Sequence, residues 1–209
     1  WRIDQESFME DVPVISSLRL RASYGINGTL PPSDYGWRSL TSYANKYMEQ
    51  PGSSVSSIAD ADLSWETNYT SNLALEFGVF DQRLTGSLEF FNRNSKNLLQ
   101  QVPISTVTGF YTTIDNVGEI NNRGLELEVY GEIIKAGGFT WNAGLTVSHI
   151  KSTVTELYGG KDIIWPEPTG GDNRTRFIYT EGESTLAIYG LEWAGVEDAT
   201  GLNVWFLNN

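Results

Sequence analysis

An all-β fold of long antiparallel strands is predicted by three observations. First, residues 68–93 alternate. Tyr69, Leu73, Leu75, Phe77 and Val79 fall on one face, interrupted by Ser71, and Asn68, Thr70, Asn72, Ala74, Glu76 and Gly78 fall on the other. Successive side chains point to opposite faces of a strand, so this is a strand pattern. It breaks at Asp81-Gln82-Arg83 and restarts with Leu84, Gly86, Leu88 and Phe90 against Thr85, Ser87 and Glu89, which makes a tight hairpin. Second, each arm is about ten residues long, above the roughly five or six of an ordinary globular strand and matching the ~9–11 a tilted strand needs to cross a bilayer. Third, the connections along the chain alternate between short and long.

In chain order, residues 1–4 read as the tail of a strand. Residues 6–17 are mixed, with Pro13 among them. Residues 18–24 alternate Leu18, Leu20, Ala22 and Tyr24 against Arg19, Arg21 and Ser23. Residues 25–65 read as a long loop, with Gly28, Pro31-Pro32, Pro51-Gly52 and a serine cluster at 53–57. The central hairpin follows, then a second loop over 95–118. Residues 121–133 set Leu125, Leu127, Val129 and Ile133 against Glu126, Glu128, Tyr130 and Glu132. A turn at Ala136-Gly137-Gly138 leads to Phe139, Trp141, Ala143, Leu145 and Val147 against Thr140, Asn142, Gly144, Thr146 and Ser148. A third loop covers 152–184, a strand is predicted over 186–196, a turn at Asp198-Ala199-Thr200-Gly201, and a last strand from Leu202.

Composition excludes several classes. The 14 Lys and Arg against 26 Asp and Glu give a formal charge of -12, the wrong sign for a nucleic-acid surface. There are no cysteines, so a disulfide scaffold and a Cys-ligated zinc site are both ruled out. No apolar run approaches the ~18 residues of a transmembrane helix, which leaves a membrane barrel open because its strands alternate. The chain starts within a strand-like segment and stops in the apolar run Val204-Trp205-Phe206-Leu207, so an internal piece of a longer protein is expected.

Neighbouring antiparallel strands reverse direction, so alternating connections gather the tight turns at one rim and the long loops at the other. That is the arrangement of an outer-membrane barrel, with an apolar face toward lipid, a polar face toward the lumen, and aromatics such as Phe77, Phe80, Phe139 and Trp141 beside the short turns. The competing reading is a soluble secreted β-sandwich that binds carbohydrate through surface aromatics.

Four phrases carry a resemblance. They are Leu18-Arg19-Leu20-Arg21-Ala22-Ser23-Tyr24-Gly25, Asp62-Leu63-Ser64-Trp65-Glu66-Thr67, the run Asn116-Val117-Gly118-Glu119-Ile120-Asn121-Asn122-Arg123-Gly124-Leu125-Glu126-Leu127, and Tyr189-Gly190-Leu191-Glu192-Trp193-Ala194-Gly195-Val196 followed by Thr200-Gly201. In this order they resemble the barrel of SusC/RagA-type TonB-dependent transporters, the outer-membrane nutrient importers of Bacteroidetes. Ala61 and Ala199 depart from the family pattern, both in turns. The resemblance implies that residues 1–209 are part of a 22-stranded transmembrane β-barrel, holding roughly seven or eight of its strands, with the plug domain outside this chain. It implies the outer membrane of a Gram-negative bacterium, a SusD-like surface lipoprotein as lid, oligosaccharide or peptide cargo, and energy from a TonB–ExbB–ExbD complex acting through the plug. It implies no cofactor and no catalysis in this segment.

Candidate residues fall into two groups. Arg19, Arg21, Glu76, Glu89, Arg93, Glu126, Glu128 and Glu132 share the polar face, where the arginines are natural ion-pair partners for the glutamates and can meet the plug. Paired carboxylates also serve glycoside hydrolysis, but a hydrated lumen wall accounts for these. Tyr35, Trp37, Tyr43, Tyr47, Tyr111, Trp165, Arg174 and Arg176 lie in the long loops, where rings stack on sugars and arginine forks read carboxylates or peptide carbonyls, or where they pack against the lid. The lone histidine, His149, continues the apolar face. Asp60 with Asp62, and Glu197 with Asp198, lack calcium-loop spacing and read as turn carboxylates. No metal site is expected.

Overall fold

A computed structural model describes residues 1–31, 33–165 and 175–206, and all of their side chains except that of Tyr47. Two 3-10 turns, Ile3–Gln5 and Ser7–Met9, precede the first long strand, β1 (Ile15–Thr29). The first long loop holds four short strands, β2 (Thr41–Ser42), β3 (Lys46–Tyr47), β4 (Gln50–Pro51) and β5 (Ser54–Val55). The central hairpin is β6 (Glu66–Val79) and β7 (Leu84–Lys96). The second long loop carries its own hairpin, β8 (Leu99–Pro103) and β9 (Thr112–Asn116). The longest strands are β10 (Glu119–Ala136) and β11 (Phe139–Glu156), followed by β12 (Ile163–Trp165), β13 (Arg176–Tyr179), β14 (Ile188–Tyr189), β15 (Trp193–Val196) and β16 (Asn203–Trp205).

Five of these form one antiparallel sheet in the order β1-β6-β7-β10-β11. Trp1 and Leu20 exchange backbone hydrogen bonds and Arg2 bridges Arg19, so the first two residues border β1, but the strand tail expected over 1–4 gives way to the 3-10 turn Ile3–Gln5. The registers align the alternating patterns into continuous rows. One row runs Leu20–Leu75–Leu88–Leu127–Val147, and the next Ala22–Leu73–Phe90–Leu125–His149. One residue further along each strand the rows are polar: Arg21–Ala74–Glu89–Glu126–Ser148. A one-residue slip would send every apolar side chain to the charged face, which is why the alternation fixes the register so firmly.

The tight connections are 80–83 and Gly137-Gly138, at the same rim. Phe80, Phe139 and Trp141 stand exposed there, 57%, 60% and 51% of their surfaces open, as an aromatic girdle requires. In turn 80–83, Phe80, Asp81 and Gln82 all take positive φ (54, 56 and 65°), and the Gln82 amide bonds the Ser17 hydroxyl at 3.0 Å to hold the turn. A bulge at Ile133 shifts the β10–β11 register and places Ile134 opposite Trp141 on the apolar face.

Almost nothing is enclosed. Among the described residues the buried apolar side chains are Ala74, Val102, Val154 and Leu157, while Leu73, Leu88, Phe90, Leu125, Leu145 and Val147 are exposed in one contiguous face. A face of that extent is an interaction surface, and it needs an apolar surrounding. No helix among the described residues is long and apolar enough to cross a membrane, which says nothing about crossing by strands.

The all-β antiparallel class holds, but the seven or eight wall strands expected are five in this sheet. The long strand predicted over 186–196 is replaced by β14 and β15, separated by Gly190-Leu191-Glu192. Its backbone bonds go elsewhere: the Ala187 carbonyl accepts the Ile178 N–H, and the Glu192 carbonyl accepts the Phe206 N–H. Gly195 takes φ +126°, which a regular strand would not tolerate. The turn at 198–201 is present, and β15 and β16 close around it as a hairpin apart from the wall.

Candidate functional site

The polar face of the wall carries a lattice of charge. Arg21 donates through Nε to Glu76 at 3.3 Å and through Nη2 to Glu89 at 2.9 Å, while Arg19 Nη1 reaches the other Glu76 oxygen at 3.4 Å. Ala74 lies between Arg21 and Glu89 in the row, 1% exposed, and its single methyl lets the guanidinium pass over β6. Glu126 stands directly across from Glu89, and Glu128 across from Ser87. Glu132 sits at the short-turn rim, 3.8 Å from Arg83 and 3.3 Å from Lys135. Arg93 occupies the same face beside Thr70 and Asn122 but makes no ion pair among the described residues, contrary to its expected pairing.

A cleft of about 320 Å3 opens on this face at the short-turn end, between Arg19, Glu76, Glu128, Tyr130 and the incoming Arg2 and Asp4. Arg2 donates to Asp4 at 2.8 Å, and Gln5 adds a bond at 3.1 Å. The Arg2 guanidinium holds the Asp4 carboxyl well below the usual carboxylate range, at about 2.

At the other rim the loops are joined at their bases. Asn116, ending β9, accepts the Ser64 N–H and donates to the Ser64 carbonyl at 2.9 Å and to the Asn97 carbonyl at 3.0 Å. Glu66 accepts the Leu99 N–H at 3.0 Å. Trp65 packs against Gly28, where a Cβ would stand 2.6 Å from its ring. Gly118 takes φ +89° so that Leu98 and Val117 can pair and close the hairpin base. The second and third recognised phrases are therefore a joint between two loops, a role their spacing in the chain gave no means of reading. Beside this joint a cleft of about 630 Å3 lies between the β8–β9 hairpin, the outer ends of β10 and β11, and Tyr179 and Leu186 of the third loop region.

The predicted loop residues are dispersed over this crown. Tyr35, Trp37, Tyr43, Tyr111 and Trp165 are exposed, and the Arg38 guanidinium stands over the Trp37 ring, 4.3 Å from its centre. Arg176 is half-buried in β13. Arg174 and the Tyr47 side chain lie outside what the structure describes. Asp60 accepts the Asp62 N–H at 3.0 Å and Glu197 accepts the Thr200 hydroxyl at 2.6 Å, both within turns. Among the described residues no three His, Asp or Glu side chains converge as a metal site. His149 lies on the apolar face opposite Leu125.

A wall with one apolar and one charged face, tight turns at one rim and long loops at the other, is a section of a membrane-spanning β-barrel. Residues 10–198 match the family described as TonB dependent receptor-like, beta-barrel, and the chain belongs to that family. It is 30% identical to TonB-dependent receptor P26 of Formosa agariphila, over 97% of this chain and 21% of that protein. It is 31% identical to TonB-dependent receptor SusC of Bacteroides thetaiotaomicron, over 78% of this chain and 17% of that protein. Its fold matches the solved RagAB peptide importer in the "closed-closed" state with a TM-score of 0.84 and 28% identity, covering 99% of this chain and 22% of the other. The chain thus spans about a fifth of the length of the relatives it matches. The resemblance to SusC/RagA-type transporters drawn from the four phrases agrees with these relatives, and the soluble sandwich is set aside.

Proposed function

We propose that this chain is a stretch of the wall of a nutrient importer in the outer membrane of a Gram-negative bacterium, and that all of residues 1–209 belong to its barrel. The observation that carries this reading is the separation of faces: rows of Leu, Phe and Val outside, and the Arg19–Arg21–Glu76–Glu89 lattice inside. The lattice faces a plug domain outside this chain, through which a TonB–ExbB–ExbD complex drives transport. Glu76 and Glu89 are held by arginines, so they act as wall and plug contacts and not as a hydrolytic pair. The crown of loops meets a SusD-like surface lipoprotein and the cargo, an oligosaccharide or a peptide.

The test separates lid from cargo. Trp37→Ala and Trp165→Ala in the full transporter are expected to weaken either lipoprotein co-purification or cargo affinity, measured independently. If neither changes, both roles proposed for the loop aromatics fail. For the plug contact, Arg19→Ala with Arg21→Ala is expected to lower plug stability and uptake, and unchanged values of both would sink it.

A further inference from the structure

We propose that Arg123 of β10 and Lys151 of β11 hold a phosphate group of a membrane-lipid headgroup at the long-loop edge of the apolar band. The inference rests on the reading of the apolar face as lipid-facing.

The two residues are direct cross-strand partners. Both have the parity of Leu125, Val129, Leu145 and Val147, so both point outward from the barrel. Both are exposed, and neither makes an ion pair among the described residues. Like charges placed directly opposite in an antiparallel pair repel and destabilise it. An anion between them turns that repulsion into attraction.

Their level on the wall names the anion. On β10 and β11 the apolar face ends at Leu125 and His149, in the row Ala22–Leu73–Phe90–Leu125–His149, while on β1 and β6 it is carried further by Tyr24, Ile26 and Tyr69. The next row outward is Tyr24–Ser71–Asn92–Arg123–Lys151, and the one beyond it Ile26–Tyr69–Asn94–Asn121–Thr153. Along β11 the band covers residues 139–149, about the 9–11 residues that cross a bilayer. The row of Arg123 and Lys151 therefore lies at the depth of the headgroups.

None of these three rows contains a carboxylate on any of the five strands, in a chain whose formal charge is -12. Asn92, the neighbour of Arg123 in its row, is occupied by Asn121 at 2.8 Å. The nearest acid on this face of β10 is Glu119, and Lys96 already takes it at 2.8 Å. Arg123 offers a planar fork that matches two phosphate oxygens, Lys151 offers a mobile point charge beside it, and His149 adds a ring nitrogen one row below.

The experiment uses the full transporter in nanodiscs containing equal amounts of phosphorylated and dephosphorylated lipid A, with retained lipid counted by native mass spectrometry. The wild type is expected to retain the phosphorylated form roughly 25-fold over the other, since each of the two basic side chains near the surface is worth about a factor of five. Arg123→Gln with Lys151→Gln removes that preference, and Lys46→Gln, in the exposed loop strand β3, keeps it. Equal retention by the wild type, or a preference that survives the double substitution, overturns the proposal. So does displacement of the lipid by millimolar inorganic phosphate, which would make this a free-anion site. A fluorophore at Leu88→Cys, quenched by acyl-chain spin labels, reports membrane embedding in every variant. Absence of quenching in the wild type sinks the barrel reading itself, whereas quenching without lipid preference sinks only this site.

Discussion

Arg21 reaches Glu89 across an intervening strand: the two stand 68 positions apart in the chain and 2.9 Å apart in space, with the Ala74 methyl beneath the bridge. The bond depends on that residue being small. Ala74→Leu is expected to push the guanidinium off Glu89 and cost about 1–3 kcal/mol by overpacking. Arg21→Met, which removes two half-exposed ion pairs, to Glu76 and to Glu89, is expected to cost about 1 kcal/mol or less. Denaturant unfolding of the transporter in detergent ranks the two, and the opposite order would refute the account.

Asn116 joins two loops with three hydrogen bonds, and Asn116→Ala removes them all. The expected loss is about 1–3 kcal/mol of local stability, because the Ser64 and Asn97 backbone groups lose their partner. Hydrogen exchange should speed up at Ser64 and Leu99 and stay unchanged at Leu75 and Leu88 in the wall. Uniform acceleration would mean the joint is not local.

Phe91 covers Gly124 on the polar face, where a Cβ would stand 2.6 Å from the ring and 2.8 Å from the His149 carbonyl oxygen. The ring can swing away, but the carbonyl belongs to the sheet. Gly124→Ala is therefore expected to destabilise by about 1–3 kcal/mol. Adding Phe91→Leu should recover only part of the loss. Full recovery would show that the ring, and not the backbone, sets the constraint.

Asp4 gives the chain an acid-sensitive contact. Its carboxyl titrates near 2 when folded, below the ordinary 3.8, so the Arg2–Asp4 contact contributes stability at pH above about 4. That contribution is lost as pH falls from about 4 toward 2. Asp4→Asn is expected to flatten the unfolding profile in that window and leave its shape near pH 7 alone. A profile unchanged by the substitution between pH 4 and 2 would remove Asp4 from the account.

The wall was legible because a single alternation had to satisfy lipid on one side and charge on the other. Leu75, Leu88, Glu76 and Glu89 each lie on the face their parity assigned. The ion pairs of Arg19 and Arg21 followed from that parity, but Arg93 did not follow, since no carboxylate occupies the rows around it. The segment 186–196 also alternates, yet a strand needs a partner edge, and its hydrogen bonds go to β13 and to residues 202–206. The Asn116 joint links residues 52 positions apart through backbone groups, which no side-chain pattern announces. The one available signal was that Ser64 and Asn116 sit in two phrases recognised separately.

The outer ends of β10 and β11 set a standoff height. With residues 139–149 in lipid, residues 150–156 climb roughly 15 Å further at ~3.3 Å per residue and ~45° tilt. A headgroup layer takes up only about 6 Å of that rise. The loops are therefore mounted on a palisade, clear of the membrane surface.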